Sequence, residues 1–183
     1  MKVSLKAGDI LLEKSEALLL TIDGTIKTPE GLPAWGSIGS AFRRRWQNYL
    51  EEVENQLDLP IAHGNSQIIT VSNSINHPSF NFIGALSALD HLGPAGHYAD
   101  HLQQSFLLAM GDLAFYRVKS ILSTLPSGGW RVSIETAAHI AERVRRHFSK
   151  WETTWTISEH NSSRFKQILP FAKQFDWSIE DQN

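Results

Sequence analysis

The 183-residue sequence contains no cysteine. Disulfides, thiolate zinc sites and cysteine nucleophiles are therefore excluded together, and the absence fits a reducing, cytoplasmic setting. No charge sign dominates either: 17 basic residues against 19 acidic ones give a net charge of −2 and a pI near 6.4. Such a balance supplies no global basic field for wrapping a polyanion. Long apolar runs are missing too. Runs such as "ALLL" at 17–20 fall far short of the roughly 20 residues of a membrane helix. The opening "MKVSLKAGDI" lacks the apolar core of a signal peptide, so a soluble cytoplasmic protein without a membrane partner is expected. The eight histidines show no H-E-x-x-H or other tight ligand spacing, and G-x-x-x-x-G-K-[ST] and G-x-S-x-G are absent. Neither a metal, a cofactor, a P-loop nor a nucleophile elbow is expected.

What is present is ordinary globular composition, with 42% hydrophobic and 20% charged residues. The length suits a single domain spanning 1–183 with one sizeable core. Strand-like and helix-like segments alternate, which predicts an α/β layered fold. Residues 3–13 read as one bent strand or two short ones. Residues 16–22, "EALLLTI", form a continuous apolar run suited to a strand buried on both faces, ending at a turn at Asp23-Gly24. A long loop is predicted over 25–37, then a helix over 39–57 with Phe42, Trp46, Tyr49, Leu50, Val53 and Leu57 on its apolar stripe. Strands are predicted at 66–73, 79–86, 118–125 and 153–158. Helices are predicted at 98–116, from Ser133 to Phe148, and over 162–175, the last bent or ended near Pro170. Ser133 suits an N-cap and Glu135 the positive end of its helix, with Arg143, Arg145 and Arg146 at the negative end.

In open α/β sheets, ligands settle beyond the carboxyl ends of the strands. Two predicted strand exits carry glycine-bearing loops that lead into helices, at 23–40 and 126–133. Such loops present backbone N–H groups in a concave array, and the helix that follows adds partial positive charge, so phosphate binds without a basic side chain. Either loop alone reads more readily as a structural turn; two at one sheet edge shift the reading toward a diphosphate site. Trp130 reads either as core filler or as a flat face for a ribose or base. Asp9 reads as a turn cap or as an acceptor for an exocyclic amine. Arg43, Arg44 and Arg45 read as a solvated face or as a phosphate clamp.

Taken in order, these pieces resemble the macro-domain family. "KAGDILLEKSEALLLTIDGT" is similar to the family's opening turn and second strand. "AWGSIGSAF" falls at its first phosphate loop, "HGNSQIITVSNSINHPSFNFIGAL" at its paired middle strands, "SILSTLPSGGWRVSIETAAHIAERV" at its second loop and alanine-rich helix, and "TTWTISEHNSSRFKQIL" at its closing strand and helix. The resemblance covers nearly the whole chain. It implies a three-layer α/β/α sandwich, with a mixed central sheet of about six strands and a cleft for ADP-ribose or a related nucleotide diphosphate. By the same resemblance Asp9 holds the adenine amine, with Ile10 beside it among the ligand-binding residues, and Gly36, Ser37, Ile38 and Gly39 line the first loop, where Trp35 narrows the cleft or stacks on a ligand. Ser127, Gly128, Gly129 and Trp130 make the second, with Trp130 against the distal ribose.

The chain departs from the family's catalytic patterns. Where hydrolytic members often carry an asparagine at the end of the second strand, Asp23 and Leu20 stand. Ile38 or a neighbour stands where one subclass has a lysine, and Gly39 or Ser40 where another has an aspartate. Binding is therefore the leading expectation. A hydrolase acting on ADP-ribosylated macromolecules or small esters, with Asp23 as its polar catalytic group, is an alternative. A degenerate interaction module without ligand is another. ADP-ribosylated protein or nucleic acid enters as a candidate partner.

Overall fold

The computed structural model describes residues 1–27, 33–71, 80–88, 98–127 and 132–180. A mixed sheet forms the middle layer. Its strands are β1 (Lys2–Ala7), β2 (Ala17–Lys27), β3 (Pro33–Trp35), β4 (Ser66–Thr70), β5 (Phe82–Ser87), β6 (Ser120–Ser123), β7 (Thr154–Glu159) and β8 (Ser178–Glu180). They lie in the order β4-β5-β2-β6-β7-β1-β8, with β3 paired to β2 off this path. The central pairs are parallel, whereas β4 on β5 and β3 on β2 are antiparallel. The helices among the described residues are α1 (Ser37–Arg45), α2 (Gln47–Glu54), α3 (Tyr98–Phe115), α4 (Ile134–His147) and α5 (Ser162–Gln174).

The apolar run of β2 explains the layering. Successive side chains of a strand point to opposite faces. Ala17 and Leu19 pack with α3, α4 and α5, among Leu102, Phe106, Ile140, Ala141 and Ile168. Leu18 and Leu20 pack with α1 and α2, among Phe42, Tyr49, Leu50 and Val53. Helices thus cover both faces of the sheet, the α/β/α sandwich expected from the sequence.

Several boundaries differ from the sequence-based expectations, each for a local reason. β2 does not turn at Asp23-Gly24 but runs on to Lys27, and β3 pairs back onto it, with Asp23 opposite Ala34. Gly24 serves close packing rather than a turn. A Cβ there would lie 2.5 Å from the carbonyl oxygen of Ile61, whose own amide donates to the Gly24 carbonyl at 2.9 Å. The helix expected over 39–57 is two helices, broken at Trp46, where φ is −134° and ψ is 61°. Phe42 and Arg45 both pack on the Trp46 ring, at 4.6 and 4.8 Å. Pro170 does not end α5, which continues to Gln174. The segment 8–13 is a turn after a single straight β1 rather than a further strand. β3 and β8, three residues each, are too short for any alternation of polarity to betray them. The expected 72–73 and 79 ends of the middle strands lie outside the described residues.

α4 forms as its sequence dictates. Ser133 caps it, accepting from the Thr136 amide at 3.0 Å. Ala137, Ile140, Ala141 and Val144 face the core. On its buried side Glu142 accepts from Arg145 Nε and Nη2 at 2.7 Å each, from Arg146 Nε at 2.6 Å and from Trp177 Nε1 at 3.2 Å. Burial alone would raise this carboxyl, but these donors outweigh it and hold its pKa at about 2. Among the described residues no helix is long and apolar enough to cross a membrane.

Candidate functional site

A cavity of about 250 Å³ opens at the carboxyl ends of the neighbouring strands β2, β6 and β7. Its first wall is Thr21 of β2 with Ser37 and Ile38, which begin α1. Its second wall is Thr124–Ser127, the exit of β6. Glu159, His160, Asn161 and Arg164, where β7 passes into α5, complete it.

The first wall is held by main chain. The Gly36 amide donates to the Thr21 carbonyl at 2.9 Å, and the Gly36 carbonyl accepts from Ser40 at 2.9 Å as α1 begins. Gly36 is thereby committed to the sheet, and the first amides of α1, which have no carbonyl partner within the helix, belong to residues at the cavity. Gly39 is buried, and a Cβ on it would come within 2.8 Å of Trp35 Cε3. The Trp35 indole therefore seats on α1. Its Nε1 donates to Glu54 Oε1 at 2.7 Å, which turns the ring toward α2, and it is not among the cavity-lining residues. Burial raises the Glu54 carboxyl above its ordinary range, only partly offset by Trp35 and Arg43.

The second wall is tied to α5. Arg164 Nη2 donates to Ser127 Oγ at 2.7 Å and to the Leu125 carbonyl at 3.5 Å, while its Nε donates to Glu159 Oε2 at 2.9 Å. The other Glu159 oxygen accepts from the Asn161 amide at 2.9 Å. Asn161 in turn caps α5 through its side chain, accepting from the Arg164 amide at 3.0 Å. A buried carboxylate, a guanidinium and a serine hydroxyl thus form one chain across the cavity.

The structure therefore brings Ser37, Ile38 and Ser127 together at one cavity. It sets Gly36, Gly39 and Trp35 behind the first wall as supports. Gly128, Gly129 and Trp130 lie outside the described residues. Asp9 lies in the turn after β1, which is pinned to the end of β7: the Gly8 amide donates to the Glu159 carbonyl at 3.2 Å, and Ser158 Oγ donates to the Gly8 carbonyl at 3.0 Å. The Asp9 carboxylate accepts from the Leu11 amide at 2.9 Å, a turn cap, and Ile10 is buried beside Leu18 and Phe42. Asp23 is 1% exposed and does not line the cavity. Its Oδ1 accepts from the Thr25 hydroxyl at 2.8 Å and lies 3.3 Å from His63 Nε2. That same Nε2 lies 3.3 Å from the Thr25 hydroxyl, so one ring nitrogen meets both partners. A nucleophile–base–carboxylate relay needs the two nitrogens on different partners. Arg43 lies 3.4 Å from Glu54, turned to α2 rather than to the cavity.

Residues not singled out from the sequence include Thr21, Glu159, His160, Asn161 and Arg164. "SEHNSSRF" held the signal: a strand that exits into an asparagine-capped helix, the same order of elements as predicted at the two glycine loops but without a glycine. Among the described residues no group of three or more His, Asp or Glu could hold a metal ion.

The fold is similar to that of solved macrodomain structures. A mutant of the Oceanobacillus iheyensis macrodomain superposes with a TM-score of 0.72 at 14% identity, over 94% of this chain and 91% of that one. Another mutant of the same macrodomain, solved with ADPR, gives 0.65 at 14% identity, over 94% and 92%. The Trypanosoma brucei macrodomain in complex with ADP gives 0.69 at 12% identity, over 93% and 69%. The protein has the macrodomain fold. No protein-family model matches the sequence, and no curated protein matches it.

Proposed function

We propose that the cavity binds ADP-ribose or a related nucleotide diphosphate. The observation that carries this reading is the pairing of two walls at one sheet edge. The N-terminus of α1 faces the exit of β6 across a cavity of about 250 Å³, just under the roughly 300–1,000 Å³ of ordinary small-molecule sites. That volume suits the middle of an extended ligand, its diphosphate and an adjoining ribose. The free amides of Ser37 and Ile38, at the positive end of the helix, are the donors for the phosphates. Ser127, Gly128 and Gly129 are the opposite wall, Trp130 the face for the distal ribose, and Asp9 with Ile10 the adenine end. The solved macrodomains that carry ADPR or ADP support the same choice of ligand.

The reading is one of binding. The carboxylate at the cavity, Glu159, is bonded to Arg164 and Asn161, and Asp23 lies away from it, so the alternative of hydrolysis draws no support from either group. The orientation of Trp35 away from the cavity favours a ligand over a filled, purely interacting cleft. ADP-ribose carried on a protein or nucleic acid is the corresponding partner. Isothermal titration calorimetry with ADP-ribose is expected to give saturable heat that disappears when Gly129 is replaced by a bulky residue. An absence of heat at millimolar ligand would overturn the proposal.

A further inference from the structure

The opposite edge of the sheet, where β1, β6 and β7 begin, holds a second and larger cavity of about 510 Å³. Lys2, Lys119 and Lys150 line it, with Trp151, Thr153 and a single carboxylate, Glu152. The sheet itself sets the spacing of two of these lysines. The Lys2 amide donates to the Thr153 carbonyl at 2.9 Å, and the Thr154 amide donates to the Lys119 carbonyl at 3.0 Å. Lys2 and Lys119 therefore flank the start of β7 on both sides, about two strand spacings or 10 Å apart. Lys150 comes from the segment after α4. Glu16 accepts from the Lys119 backbone amide at 2.7 Å, which fixes that end of β6. Among the described residues none of the three lysines is in an ion pair; the lysine that is, Lys6, pairs with Glu13.

An aromatic face and the local balance of charge set this cavity apart from an ordinary lysine-bearing surface. Trp151 is half-buried, with one flank packed on the core, and offers an aromatic surface in the same wall. Three cations against one carboxylate on a chain of net charge −2 concentrate positive potential at one place.

We infer that this cavity is a second binding site, for the phosphate backbone of a single-stranded nucleic acid, with Lys2, Lys119 and Lys150 on phosphates and a base against Trp151. Basic grooves interleaved with an aromatic face are how proteins hold single strands without reading sequence. The volume exceeds what one free phosphate needs, which favours a nucleotide unit over the bare anion. The site lies at the far ends of the strands from the α1–β6 cavity and does not depend on what that cavity binds.

Fluorescence anisotropy of a short labelled oligothymidylate tests it. Binding is expected at about 50 mM salt and is expected to weaken toward about 200 mM. The slope of log K on log salt should be near −2, from about −0.7 for each phosphate neutralised on a single strand. Exchanging all three lysines (Lys2→Gln, Lys119→Gln and Lys150→Gln), side chains that lie on the surface, is expected to abolish binding with an unchanged circular-dichroism spectrum. Trp151→Ala is expected to weaken binding about tenfold, and ADP-ribose is expected not to compete. No anisotropy change at low salt, or wild-type affinity in the triple variant, would overturn the site. Competition by ADP-ribose would place the strand in the other cavity and overturn it equally. Equal affinity for a mononucleotide or inorganic phosphate would overturn the single strand as its ligand.

Discussion

Glu142 is the residue whose replacement has the most calculable effect. It is 3% exposed, and it joins Arg145 and Arg146 on α4 to Trp177 beside β8. Its carboxyl is held at about 2 against an ordinary 4.5. At about 1.4 kcal/mol for each tenfold change in proton affinity, this displacement corresponds to about 3 kcal/mol of folding free energy at neutral pH. A depressed carboxylate contributes fully above its unfolded-state pKa and loses that contribution as pH falls toward its folded-state value. The stabilisation should therefore shrink from about 3 kcal/mol at pH 7 to about 1 kcal/mol at pH 3. Glu142→Gln keeps the size of the side chain but puts a neutral amide beside two guanidinium groups. Urea denaturation should show it about 3 kcal/mol less stable at pH 7, equivalent to a fall of about 6–12 °C in Tm for a domain of this size. The two proteins should converge as the pH is lowered to 3. A difference below about 0.5 kcal/mol at pH 7, or one of the same size at both pH values, would refute the electrostatic account. The outcome bears on the ligand cavity as well, because α4 begins a few residues after Ser127 and its anchorage positions the second wall.

Glu54 should behave in the opposite sense. Burial raises its carboxyl, so whatever it contributes is present at low pH and declines as pH rises from the ordinary carboxylate range through the raised value; Glu54→Gln should be at least as stable as wild type at pH 8, and a clear loss there in a denaturation curve would contradict this. Gly39→Ala should cost about 1–3 kcal/mol despite the better helix propensity of alanine, because the Cβ meets Trp35 Cε3 at 2.8 Å; calorimetry should show weaker ADP-ribose binding, and an unchanged Kd would separate Trp35 from the first wall. Arg164→Met strands Glu159, which is 5% exposed, and should destabilise by about 3 kcal/mol. Ser127→Ala removes only the acceptor of one charge-assisted bond, costs about 1–2 kcal/mol, and should weaken ADP-ribose about tenfold; equal effects of Arg164→Met and Ser127→Ala on both stability and affinity would show that the chain across the cavity is not organised as described.

The layering and most of the helices were legible because each rests on a periodicity. The run 17–22 had to be buried on both faces, and the Ser133 cap with its apolar stripe had to start a helix. The errors fell where tertiary contacts override local signals. Asp23-Gly24 has the composition of a turn, yet the glycine serves the close approach of Ile61, which is far away in sequence. The stripe through Phe42, Trp46 and Tyr49 is continuous in sequence, yet Trp46 leaves the helical region. At the cavity, glycine drew attention to two loops and away from the third. Arg164 and Glu159 are ordinary surface types in the sequence, and they become cavity residues only because β7 lies next to β6, an adjacency that crosses the intervening helix α4.

The bond from the Gly36 amide to the Thr21 carbonyl involves no side chain at all. It clamps the start of α1 to the central strand through atoms that every residue possesses. A wall fastened in this way leaves the exposed position 37 open to substitution while the amides of 37 and 38 stay in register. Such main-chain fastening is compatible with a shared fold at 12–14% identity to the solved macrodomains. At this wall the fold constrains the path of the backbone more than the identity of the side chains that line it.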